Sequence, residues 1–388
     1  MGTAAAAGVW ADLVGQDTAI AALRRAVAGK AHAMSHAWLI TGPPGSGRSN
    51  AGRAFAAALQ CVDGGCGDCQ ACRTALSGAH PDVTLVRTEL LSIGIDEVRE
   101  LARRAQMSPT LGRYQVIVVE DADRITDRGA DALLKSIEEP ATKTVWVLCA
   151  PTPEDVVATI RSRCRLLTLT TPSDAAVVEL LVRRDGIEPV MAEHAARAAQ
   201  GHIGRARKLA RDEAARARRR EVLLLPGRLT GLGPCLTAAA NLVESCSAEA
   251  AAATAELDRV ERAELEEALG FGTKGARPRQ AATALKALED QQKARAKRLQ
   301  RDAIDRALTE LTTYFRDVLS LQTGSGARLI NPDLEQQLLA AARGSSPETT
   351  IRRIDAILAC RTALEVNVAP LLAVEAMLIG LVEAQSLD

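Results

Sequence analysis

Apolar residues fall into short unbroken runs along the first 170 or so positions and into helical stripes after that. Ala37-Trp38-Leu39-Ile40, Val83-Thr84-Leu85-Val86, Tyr114 to Val119, Thr144 to Cys149 and Leu166 to Leu169 each have the length and β-branched content of a buried strand. Helical patterns alternate with them. Ala19 to Ala28 follows Asp17 as N-cap, Ala54 to Leu59 follows a glycine-rich loop, and Ile95 to Ala105 puts Val98, Leu101 and Ala102 on one face. Ala132 to Glu139 is closed by Pro140. This alternation predicts an α/β domain, a parallel sheet with helices on both faces. From Pro172 onward strand signals fade. Helices are expected over Ala175–Arg183 and Val190–Ala199, with a helix-start turn at Gly201-His202-Ile203-Gly204. The arginine-rich Ala214–Glu221 reads as a solvated helix or linker, with a DNA contact as the other possibility, and Pro226–Pro234 reads as a loop. Gln280–Leu321 is long, charged and amphipathic, its stripe of Leu308, Leu311, Tyr314, Phe315, Val318 and Leu319 predicting core packing. Helices at Ala356–Ala363 and Pro370–Glu383 complete an all-α second half. The expected domains are 1–171 (α/β), 172–212 (small, helical) and 213–388 (helical).

The length of 388 residues fits two or three domains at roughly 100–200 residues each. Aromatic residues make up only 2% of the chain, so its cores must be built from Ala, Leu, Val and Ile. The formal net charge is zero, which argues against a general nucleic-acid-binding field. No apolar run approaches the roughly 20 residues of a membrane span, and Met1 to Gly8 lacks the basic start of a signal peptide. A cytoplasmic protein with no membrane partner is expected. In that compartment, the clustering of four of the nine cysteines between Cys61 and Cys72 favours metal over disulfide.

Three motifs carry chemistry. The first is Gly42-Pro43-Pro44-Gly45-Ser46-Gly47-Arg48-Ser49, a strand-to-helix turn with the spacing G-x-x-x-x-G-K-S/T of a phosphate-binding P-loop, in which backbone N–H groups at a helix start cradle phosphate. Arg48 stands where that pattern has Lys. A planar fork replaces a compact point charge, so the swap is not conservative. ATP or ADP in a degenerate loop is compatible with the pattern, while hydrolysis is disfavoured by it. The second motif is Glu120-Asp121, at the end of an apolar strand in the Walker B position. The usual order is Asp for the magnesium shell and then Glu for the attacking water. Here it is reversed, leaving Glu120 a methylene too long for the first role and Asp121 a methylene too short for the second. The third is Cys61-x4-Cys66-x2-Cys69-x2-Cys72. Four thiolates with Gly64, Gly65 and Gly67 between them suit a closed, structural zinc site. His36, at a strand start, reads as structural rather than as a ligand.

Taken together, Val14-Gly15-Gln16, Ser35-His36-Ala37, the P-loop, the four cysteines, Ala132-Leu133-Leu134-Lys135 with Glu138-Glu139-Pro140, and Ser162-Arg163-Cys164 resemble the bacterial DNA polymerase III clamp-loader family of AAA+ proteins, the τ/γ and δ′ group. The resemblance runs from Trp10 to about Cys164, and the family's first two cysteines are usually further apart. It implies a AAA+ domain with a zinc module, a helical lid and a helical collar that joins a ring. Four departures from the motor subunits stand out: Arg48, the Glu120-Asp121 order, Pro151 near a nucleotide-sensing Thr, and Gly204 in place of a lid arginine unless Arg205 substitutes. The chain also ends near Leu387 without the long extension typical of τ. The resemblance therefore points to the δ′ type, a stator-like subunit with no independent catalysis. Its intact Ser162-Arg163-Cys164 implies that Arg163 is an arginine finger acting in trans on a neighbouring τ/γ ATP site; a surface salt bridge is the plainer role for the same residue. The implied partners are τ/γ and δ subunits in a hetero-oligomeric ring, the sliding clamp, and primed DNA through the assembled complex. Two alternatives remain open at this point: a competent τ/γ-like ATPase, and a zinc-dependent nucleic-acid-binding protein.

Overall fold

The computed structural model describes residues 8–30, 32–88, 92–269 and 281–383. Of the segments discussed above, residues 1–7, Gln280 and the chain end at Leu387 lie outside the described residues. The chain divides into two compact units, Met1–Arg211 and Asp212–Asp388.

The first unit runs α1 (Asp17–Val27), β1 (Ala37–Thr41), α2 (Arg48–Gln60), α3 (Gln70–Ser77), β2 (Val83–Val86), α4 (Ile95–Ala105), β3 (Gln115–Val119), α5 (Asp127–Glu138), β4 (Thr144–Ala150), α6 (Ala158–Arg161), β5 (Arg165–Thr168), α7 (Asp174–Arg183), α8 (Pro189–Ala199) and α9 (Ile203–Arg211). The five strands form one parallel sheet in the order β2-β3-β4-β1-β5. Every residue of β1, β3 and β4 is buried, which is why these runs are apolar without alternation. Successive side chains still point to opposite faces. Trp38, Ile40, Val116, Val118, Val145 and Val147 pack with α1 and α2, while Leu39, Ile117, Val119, Trp146 and Leu148 pack with α4 and α5. At the β5 edge, the Arg165 guanidinium lies 5.0 Å from the centre of the Trp38 ring and donates to the carbonyls of His32 and Ala33.

The second unit holds α10 (Glu213–Leu224), α11 (Leu232–Ala268), α12 (Ala281–Thr323), α13 (Glu335–Arg343), α14 (Pro347–Glu365) and α15 (Pro370–Glu383). Leu308, Leu311, Tyr314, Phe315 and Val318 are buried in its core as the stripe predicts, with Leu319 half-buried.

Four local expectations need correcting. Asp17 is the first helical residue of α1 rather than its cap. Gln16 holds the cap position, and its buried side chain instead clasps Thr170, donating to the Thr170 carbonyl at 2.7 Å and accepting its N–H at 3.1 Å. Helix α5 starts five residues before Ala132, where the Thr126 hydroxyl accepts the Gly129 N–H. Pro234 belongs to the first turn of α11, where a missing N–H breaks no helical bond. Helix α10 is not wholly solvated, since Arg219 is buried and bonded to Glu310 at 3.0 Å and to the Asn331 side chain.

Candidate functional site

The glycine-rich loop Gly42–Gly47 leaves the C-terminal end of β1 and enters α2 at Arg48. Its bend uses positive φ at Gly45 (83°) and Gly47 (94°), where a side chain would be strained. Gly45 is also required sterically, because a Cβ there would lie 2.3 Å from the His202 ring. His202 stands just before α9, and its Nδ1 accepts the Arg205 N–H at 3.2 Å. The start of α9 is thus seated directly on the loop. Arg48 turns back across the turn and its Nη1 donates to the Gly42 carbonyl. Burial lowers the basicity of this guanidinium, and the Cys149 thiol together with Asp123, Asp121 and Asp155 oppose that effect. The Ser46 N–H bonds to the Pro43 carbonyl, and the Ser46 hydroxyl is buried with no hydrogen-bond partner among the described residues. The loop therefore spends part of its own donor set internally.

Glu120, the residue after β3, is buried, and its carboxylate accepts from Arg53 Nε of α2 at 2.5 Å. Asp121 is half-buried and starts the following turn. Asp123, one turn further, has its carboxyl raised by burial and by the charge of Asp121. The strand-end acid that motor chemistry would aim at magnesium is thus engaged by a helix arginine. The sequence pattern gives Arg53 no role and His202 only a place in a helix-start turn; no spacing rule marks either for this site, because their contacts join distant segments.

The four cysteines converge. Their sulfurs all lie within 4.8 Å of one another, with Cys61 Sγ 3.7 Å from Cys66 Sγ and 3.8 Å from Cys69 Sγ. A tetrahedron of sulfurs around a metal at about 2.3 Å has edges of about 3.8 Å. The donor set and spacing therefore fit a four-sulfur metal site. Cys69 caps α3, accepting the Cys72 N–H, and Cys61 accepts the Cys66 N–H. Positive φ at Gly64, Gly65 and Gly67 folds the loop tightly enough to do this. The Gly65 carbonyl also takes the Val9 N–H at 3.1 Å, tying the start of the described chain to the module.

Arg163 lies at the opposite end of the sheet, between α6 and β5, and is exposed. Its Nη1 donates to the Thr159 carbonyl at 2.8 Å and to Ser162 Oγ at 3.1 Å, and its Nη2 pairs with Glu138 Oε1 at 2.5 Å. Cys164 faces inward against the α4–α5 layer, and burial raises its thiol to about 12. Ser162 thus steadies the guanidinium and Cys164 anchors the turn. The salt bridge weighed from sequence exists, and the arginine keeps an accessible face. His36 takes the structural role expected of it, with Nε2 2.9 Å from the Ile137 carbonyl.

Residues 15–173 match the family model described as DNA polymerase III, delta subunit. The DNA polymerase III subunit delta' of Escherichia coli is 37% identical over 162 residues, covering 40% of this chain and 48% of that protein. The delta' subunit of Pseudomonas aeruginosa is 36% identical over 164 residues, covering 41% and 50%. The gamma/tau subunit of Mycobacterium tuberculosis is 36% identical over 159 residues, covering 40% and 27%. The match thus spans about half the length of these delta' relatives and about a quarter of the gamma/tau one. Identity alone does not separate the two kinds. Among solved structures, a DNA polymerase III gamma subunit-related protein from Thermotoga maritima aligns over 94% of this chain and 99% of its own, with 17% identity and a TM-score of 0.41.

Proposed function

We propose that this chain, whose residues 15–173 belong to the clamp-loader AAA+ family, is a stator-like subunit of delta-prime type that lends Arg163 to the ATP site of a neighbouring gamma/tau subunit and turns over little or no ATP itself. One contrast carries the reading. The chain's own phosphate loop is spanned by Arg48 and roofed by His202, whereas the guanidinium of Arg163 stands exposed at the other end of the sheet. Phosphoryl transfer needs phosphate-neutralising charge, a magnesium ligand and a water-positioning group in one place. Here Arg48 is committed to Gly42, and Glu120 to Arg53. A guanidinium supplied from outside, in contrast, stabilises developing charge on a neighbour's nucleotide without any chemistry in the donor chain.

In this reading the chain sits in a hetero-oligomeric ring with gamma/tau and delta subunits, held through its helical second unit, and the ring places the sliding clamp on primed DNA. Residues 172–212 serve as the lid of the AAA+ domain. Cys61, Cys66, Cys69 and Cys72 hold a structural zinc ion that fixes the α2–α3 loop against the chain start. The location is cytoplasmic; among the described residues no helix is long and apolar enough to cross a membrane.

The test is a ring reconstituted with a gamma/tau partner. Arg163→Ala should leave assembly intact and slow ATP turnover at the site it serves by roughly a thousandfold, and the isolated chain should show no turnover. Unchanged turnover in the variant ring, or brisk magnesium-dependent hydrolysis by the chain alone, would refute the assignment.

A further inference from the structure

We infer that Glu138 is a latch for Arg163, an intramolecular carboxylate that occupies the guanidinium until a neighbour's nucleotide displaces it; this rests on the trans role proposed for Arg163. The placement of Glu138 is the first observation. It is the last residue of α5, where the negative end of the helix dipole disfavours a carboxylate. An acid there is offset by its pairing with Arg163 at 2.5 Å. The second observation is that the backbone bearing Glu138 is firmly held. The adjacent Ile137 is fully buried and its carbonyl is held by His36, with Pro140 closing the segment. Arg163 is a long side chain on a short turn after α6, docked through Thr159, Ser162 and Glu138.

The third observation is exposure. The two side chains are 39% and 45% accessible, so water and salt weaken the pair, and it biases the arginine toward the docked position by at most about fivefold. A triphosphate carries more charge than one carboxylate and offers oxygens suited to the planar fork. It therefore outcompetes Glu138 once a neighbour presents it. The latch makes the arginine available in a defined place while adding a small threshold to nucleotide engagement. Glu138 acts through Arg163 and is a positioning residue.

The experiment compares rings reconstituted with wild-type chain, Glu138→Gln, Arg163→Ala and the double variant, reading the KM for ATP and kcat separately. Glu138→Gln keeps the side-chain length and relieves the dipole conflict, so the fold is retained, as tryptophan fluorescence of the first unit would verify. The expected result is a two- to fivefold lower KM with kcat within about twofold of wild type, and no effect of Glu138→Gln once Arg163 is Ala. An unchanged or raised KM in Glu138→Gln, while Arg163→Ala still depresses kcat, overturns the latch alone. If Arg163→Ala also leaves kcat unchanged, the trans role itself fails.

Discussion

Asp82 offers the sharpest stability test in the first unit. It precedes β2 and is buried, and it accepts three backbone N–H groups from the loop before β3: Thr110 at 2.6 Å, Leu111 at 2.8 Å and Gly112 at 2.5 Å. Burial by itself would raise its carboxyl. The donors of Thr110, Gly112 and Leu111, helped by the charge of His80, outweigh that and hold it below the usual carboxylate range. Hydrogen bonds to a charged group contribute about 1.5–3 kcal/mol each. Thr110 and Leu111 are exposed, so water takes back part of what they lose when the carboxylate is removed. Asp82→Asn retains one acceptor but turns an amide toward a donor, and the net loss should be about 2–3 kcal/mol at neutral pH. All three tryptophans, Trp10, Trp38 and Trp146, are buried in the first unit, so urea titration followed by their fluorescence reports on that unit alone. The expected shift is a midpoint lower by about 1–1.5 M for a slope near 2 kcal/mol per M. The sign with pH follows from linkage. A carboxyl whose folded value is depressed stabilises fully above the unfolded value of about 3.9 and loses that contribution as pH falls through the folded value. Wild type and Asp82→Asn should therefore converge in acid. Equal midpoints at neutral pH, or a gap that persists undiminished well below pH 3.9, would refute the account.

Replacing Cys69 and Cys72 with Ser should release about one equivalent of metal and destabilise the first unit, because binding free energy at a closed site is folding free energy; metal analysis finding none in the parent protein would defeat the zinc assignment. In the second unit, Arg219→Met takes the buried guanidinium away from the buried Glu310 carboxylate and should cost about 3–5 kcal/mol, while Arg219→Met with Glu310→Leu should recover most of it; helical circular dichroism during melting measures both.

The sheet was legible because its strands are buried on both faces, so that runs such as Tyr114–Val119 and Thr144–Cys149 match β3 and β4 within a residue. The ends of helices were less so. Gln16 outbids Asp17 at the start of α1 because its amide reaches Thr170, a residue 154 positions away that no local rule connects to it. The arginine-rich run misled for a related reason. Arg219 looks like its neighbours in sequence, and only the folding of α12 beside α10 supplies the Glu310 that lets it be buried. The candidate sites divide in the same way. The cysteine spacing held all the information needed to bring four sulfurs together, since the module closes within a dozen residues. The fate of Arg48 was half visible: the departure from Lys is written in the chain, but its turn toward Gly42 and the approach of His202 are products of three-dimensional packing. Glu138 was part of a recognised motif yet had no role until Arg163 was found against it.

In the sheet, β1 and β5 lie side by side and point the same way, with Trp38 opposite Arg165. The glycine-rich loop follows the end of the one, and Arg163 precedes the start of the other. Arg163 and the loop therefore face opposite poles of one domain, separated by roughly the four-residue length of β5, about 13 Å. That polarity forbids a twofold handshake between like faces, which would set arginine against arginine. If Arg163 serves a neighbour as proposed, subunits built on this plan line up front to back, and such a line either closes on itself or grows without end. Under the role proposed for Arg163, a member that gives its guanidinium forward needs to receive none at its own loop, and would therefore suit one terminus of an arc.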